Sequence, residues 1–200
     1  MRNKKPCLRP LTLLRWLAMI YSVVATGAAA AHLPWDIESD VAWYQRLASD
    51  KPAAFSVFPA ALNSARQTNS FRIIADEVKT ATALSESWVV LGEININAGD
   101  SVLCFISGEG SLLKKGHLNG RPLVGRRAIA AGQYDLLTGH IFREAGAADV
   151  ILADGLVDGT LYYITAWHGG RLKRMAAYQP FSATNAPLKE TIALLKRIGC

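Results

Sequence analysis

The spacing of apolar residues along this chain alternates between helical and strand periods, and each change marks a new element. Ile37, Val41, Tyr44 and Ala48 recur at helical spacing with Trp43 and Leu47 beside them, the stripe of an amphipathic helix. Asp36 is placed to cap it, Glu38 and Asp40 suit its positive end, and Pro52 stops it. Residues 52–69, with Pro59 and a polar run from Asn63 to Asn69, have the composition of a connection.

Three strands are predicted next. Ser70 to Lys79 holds Phe71, Ile73 and Ile74. In Ser87 to Asn97, Glu93, Asn95 and Asn97 alternate with Ile94 and Ile96. Ser101 to Ser107 is apolar from Val102 to Ile106, as in a strand covered on both faces. Ala98-Gly99-Asp100 is turn chemistry that joins the last two as a hairpin. Gly108 to Gly125 is glycine-punctuated and basic, the pattern of a loop or short edge strands.

Gly132 to Ala148 fits two periods. Tyr134, Leu137, Ile141 and Ala145 line a helix, whereas Tyr134, Leu136 and Thr138 would serve a strand. Gly139 weakens a helix by about 1 kcal/mol, yet helix is the reading taken. Thr160 to His168 and Arg171 to Tyr178 flank Gly169-Gly170, whose freedom at positive φ predicts a tight hairpin. Trp167, Thr165, Tyr163 and Leu161 then share a face with Leu172, Arg174, Ala176 and Tyr178, the face expected in the core. The opposite face ends in a basic tip of His168, Arg171 and Lys173 and is expected to be more exposed. A last helix spans Ala186 to Ile198, with Pro187 in its first turn, Leu188, Ile192 and Leu195 inward, and Gly199 as terminator. The elements predict an α+β fold: a mainly antiparallel sheet with an N-terminal and a C-terminal helix packed on it.

The first 31 residues have a different character. Arg2, Lys4, Lys5 and Arg9 form a basic head, Trp16 to Val24 an apolar stretch, and Thr26 to Ala31 a small-residue run. This is the plan of a cleavable signal peptide, and it divides the chain into a leader, 1–31, and one α+β domain, 32–200. Trp16 to Ala31 is sixteen residues, short of the roughly twenty that span a bilayer. The expected location is the periplasm or the exterior of a bacterium, with no stable membrane insertion after cleavage.

The leader also accounts for the charge. The chain carries +6 with a pI near 9.4, but the leader holds five of the 22 basic residues and no acid, which leaves 17 against 16, a net of +1. Nothing in that balance calls for a nucleic-acid partner. In an oxidising compartment Cys104 and Cys200 can pair; the alternative is a buried apolar Cys104 and a frayed terminal thiol.

Catalytic signatures are absent: the chain has no HExxH, G-x-S-x-G, P-loop, GxGxxG, C-x-x-C or EF-hand loop. His32, His117, His140 and His168 form no local metal pair, so no metal site and no cofactor are expected. Trp167, His168, Arg171 and Lys173 are the candidate binding residues, because Trp and Arg anchor interfaces and the tip is basic. The leading reading is a non-enzymatic module binding another envelope or secreted protein, or an anionic envelope component, as an inhibitor, an immunity-like protein or an assembly factor does. The rival is an envelope hydrolase drawing on His117, His140 or His168 with Asp76, Glu77 or Asp100. A small-ligand carrier would need a dry cavity within the sheet.

The leader makes a direct prediction. Amino-terminal sequencing of protein recovered from the envelope of a cell expressing the whole chain will begin at His32 or one residue before it. Intact chain starting at Met1 free in the cytoplasm would refute export.

Overall fold

In a computed structural model, residues 32–50, 57–95, 99–144, 150–153, 159–178 and 186–200 are described, and residues 1–31 lie outside them. Helix α1 (Ile37–Asp50) starts as its capping residue requires: the Asp36 carboxylate accepts the Ser39 N–H at 3.2 Å. The segment expected to be a connection forms helix α2 (Val57–Gln67). Its first-turn Pro59 is tolerated there, and Ser64 and Gln67 are exposed while Ala61, Leu62 and Ala65 are buried.

Ser70 to Lys79 is not a strand. Helix α3 (Asn69–Ala83) replaces it, capped by Thr68, whose Oγ1 accepts the Phe71 N–H at 3.3 Å. The buried residues Phe71, Ile74, Ala75, Val78 and Thr82 recur at helical intervals. Ile73, which made the segment look strand-like, is 61% exposed.

The remaining strands are β1 (Trp88–Asn95), β2 (Ser101–Ser107), β3 (Ser111–Leu118), β4 (Arg121–Ala128), β5 (Val150–Ala153), β6 (Thr160–His168) and β7 (Arg171–Tyr178). They form one sheet in the order β4-β3-β2-β1-β6-β7-β5, antiparallel throughout except where β5 runs parallel to β7. Helix α4 (Ala131–Gly139) continues into a π-helical turn, His140–Glu144, and α5 (Ala186–Ile198) closes the chain. The helical reading of Gly132 to Ala148 therefore holds as far as Glu144; Ala145 to Ala148 lie outside the described residues. The basic stretch Gly108 to Gly125 supplies β3 and most of β4, two full strands.

The α+β architecture is as expected, with helices at both ends against a mainly antiparallel sheet. Both faces of that sheet are covered. On one, α1, α2 and α3 pack on Trp88, Val90, Leu103, Phe105 and Tyr163. On the other, α4, the π turn and α5 pack on Val89, Leu91, Cys104, Ile106 and Ile164. The β6–β7 hairpin has the predicted register, His168 opposite Arg171 and Trp167 opposite Leu172, about Gly169 and Gly170 at φ 57° and 74°. Its second face is not exposed as expected: Ile164, Ala166 and Met175 are buried under the second helical layer. Between β1 and β6 the backbone packs closely, with the buried Tyr163 ring over Gly92, where a Cβ would come within 1.9 Å of it.

Asp40 joins α1 to this sheet. Its fully buried carboxylate accepts from Trp35 Nε1 and Thr165 Oγ1, each at 2.8 Å, and pairs with Arg174 Nε at 2.7 Å. Burial pushes its pKa up while Arg174 and the two neutral donors pull it down. Arg174→Met leaves that carboxylate without its cation and is expected to cost about 3–5 kcal/mol in urea unfolding. Adding Asp40→Leu is expected to restore most of the loss, and additive losses would refute the coupling.

Candidate functional site

The hairpin tip, where the sequence predicts binding residues, divides between the two faces. Trp167 is half-buried against the first helical layer, and His168, Arg171 and Lys173 point to the other side. Lys173 is only 5% exposed, so it is not part of a solvated tip. Arg171 and His168 are exposed and lie on the π turn, with the Arg171 guanidinium 5.6 Å from the Phe142 ring centroid and the His168 ring 5.8 Å from it. Ser87 fastens the group to the start of β1. Its hydroxyl donates to the Trp167 carbonyl at 3.1 Å and meets Tyr134 Oη at 2.5 Å and His168 Nδ1 at 2.8 Å. Burial raises the Tyr134 phenol to about 12, so it stays protonated as a donor. With its hydrogen-bonding capacity filled by three partners, Ser87 reads as a clamp.

The other chemical candidates are dispersed. His117 sits on β3 opposite Pro122, His140 opens the π turn, and Asp76 is exposed on α3. Asp100 accepts the N–H groups of Asn119 and Gly120, at 2.5 and 3.2 Å, and so holds the β3–β4 turn. Glu77 pairs with Lys115 and with Arg126 Nη2, the latter at 2.8 Å. The Lys115 hydrogen bond is the main reason the Glu77 carboxyl lies below its ordinary range, with Arg126 adding to it. Among the described residues, no three His, Cys, Asp or Glu side chains gather in a metal-binding group.

A concave feature beside Glu77 combines apolar surface with charge. A groove of about 640 Å³ runs between α3 and the β3–β4 hairpin, over Phe105 and Leu113, with Ala81 and Leu84 on one wall and Arg126 and Ala128 on the other. The Glu77 cluster ties α3 to β3 and β4 beside it. Leu84, at the end of α3, is 83% exposed, and Val124 on β4 is 67% exposed.

Strand β4 is the outer strand on this side of the sheet, and among the described residues nothing pairs with its far side. The tight turn makes Leu118 and Arg121 a hydrogen-bonded pair, and the alternation continues to Ile129, whose N–H donates to the Gly110 carbonyl at 2.8 Å. Pro122, Val124, Arg126 and Ala128 therefore turn their free backbone groups outward. The proline has no N–H to offer, so unpaired donors begin at Val124. The sequence carries a trace of this site in its basic residues Lys115, Arg126 and Arg127. The opposing wall exists only because residues 69–83 form helix α3 and not the strand that the sequence predicts.

Cys104 and Cys200 are joined by a disulfide, with their Cα atoms 5.5 Å apart. Gly199, at φ 116°, turns the chain off α5 so that the Cys200 N–H reaches the Leu195 carbonyl at 2.9 Å. Lys114 donates to the Cys200 carbonyl, and burial lowers its pKa. The bridge fixes α5 on β2 across a sequence separation of 96. Reduction, or Cys200→Ser, is expected to lower stability to urea by about 4–5 kcal/mol. Unchanged unfolding in the presence of reductant would show that the two cysteines are not bonded.

These features define a disulfide-linked α+β domain, its sheet enclosed between two helical layers and carrying a groove at one open edge. The chain matches no protein-family model and no curated protein.

Proposed function

We propose that the N-terminal 31 residues export this chain and that residues 32–200 act as a non-enzymatic binding module in the bacterial periplasm or outside the cell, with another envelope or secreted protein as partner. The observation that carries this reading is the α3/β4 groove, an apolar floor beside an arginine-bearing strand whose far side has no partner among the described residues. A protein segment can use all three features together: side chains on Phe105 and Leu113, carboxylates on the exposed Arg121 and Arg127, and backbone on β4. An anionic glycan or lipid headgroup would leave the apolar floor unused. The Cys104–Cys200 bridge suits an oxidising compartment. The hydrolase reading has less support, since Glu77, Asp100 and His168 are each engaged by structural partners.

Crosslinking from defined positions tests the proposal. A benzophenone side chain in place of Leu84 or Val124, irradiated in cells expressing the whole chain, is expected to give a discrete protein adduct. The same group in place of Leu136, which is 61% exposed on α4 under the opposite face, is expected to give none. Absence of adducts at all three positions, or the same adduct at Leu136, would overturn the reading.

A further inference from the structure

The way a partner would be held is set by the alternation of side chains along β4, and the argument rests on the binding-module reading above. Val124, Arg126 and Ala128 point to the groove face, whereas Arg121, Leu123 and Arg127 point to the other. Arg126 is already paired with Glu77. The groove face thus offers apolar contact, while the other face offers Arg121 and Arg127, both exposed, and β4 itself contains no acid. We infer that β4 binds an extended segment of a partner protein by strand addition, and that this segment alternates apolar residues facing the groove with acidic residues facing Arg121 and Arg127. Backbone pairing from Val124 to Ala128 supplies the attachment, and the two side-chain rows supply the selectivity.

Charge argues against the other occupants. The leader carries Arg2, Lys4, Lys5, Arg9 and Arg15 with no acid, so the chain's own N-terminus has the wrong sign. A second copy paired edge to edge through β4 would place the arginines of both strands on one seam with no carboxylate between them.

Two synthetic peptides test the inference on protein purified from the envelope after expression of the whole chain. Each matches the eight residues of β4, one alternating valine with glutamate and the other valine with lysine. By fluorescence anisotropy the glutamate peptide is expected to bind about tenfold more tightly than the lysine peptide. Val124→Pro removes one outward N–H, keeps the β3–β4 hydrogen bonds, and is expected to abolish binding of the glutamate peptide. Arg121→Glu with Arg127→Glu leaves the Glu77 cluster intact and is expected to reverse the preference; should V124P fail to fold, this pair decides. Equal binding of the two peptides, or unchanged binding by V124P, would overturn strand addition. So would self-association lost in V124P, which would make a second copy the occupant. If neither peptide binds while Leu84 and Val124 still crosslink, strand addition falls and the binding-module reading stands.

Discussion

Strands β1, β2 and β6 bury side chains on both faces, and the rest of the molecule is arranged to make that tenable. An apolar surface on each side of a sheet demands a helical layer on each side. Helices α1, α2 and α3 provide one; α4, the π turn and α5 provide the other. Coverage fades toward β4, where every residue is exposed or half-buried. The helices that enclose the centre of the sheet therefore leave a margin where α3 faces a strand with no partner on its far side among the described residues. The groove is a product of that margin.

Three ties of different chemistry hold helices to the sheet. Asp40 fixes α1 to β6 and β7 through a buried carboxylate with three donors. Glu77 fixes α3 to β3 and β4 through two cations nearer the surface. The disulfide fixes α5 to β2 covalently. Asp40 is the most exacting of the three, because a buried carboxylate is stable only while its partners remain in place. The Glu77 tie is more forgiving, since water reaches it and screens what is lost.

Much of the fold was legible in the residues, and each misreading has its own physical cause. The Gly169-Gly170 turn and the alternation on either side of it specify the β6–β7 hairpin and its register without help from the rest of the chain. The unbroken apolar run of β2 announced a strand buried on both faces, as it is. The α3 segment misled because Ile73 and Ile74 are adjacent and conspicuous, whereas its buried stripe is completed by Ala75 and Thr82, which contribute little to an apolar pattern. The second hairpin face looked solvent-bound because Lys173 and Arg171 lie on it. At the candidate site, the arginine pair of β4 was visible, and the wall opposite it was not.

Taken alone, the amino-acid sequence determines what depends on neighbours a few residues apart: the helical stripe of α1, the glycine turns, the alternation of β1 and β6, and the contrast in composition between residues 1–31 and residues 32–200. Tertiary structure decides what depends on residues brought together from afar. The acceptance of Thr165 and Arg174 by Asp40 spans separations of 125 and 134 residues, and the cysteine bridge spans 96. Periodicity shows that an element has an apolar face but not which element will cover it. That choice rests on the packing of all the layers at once, and it settles the disulfide, the buried carboxylate and the groove beside β4 together.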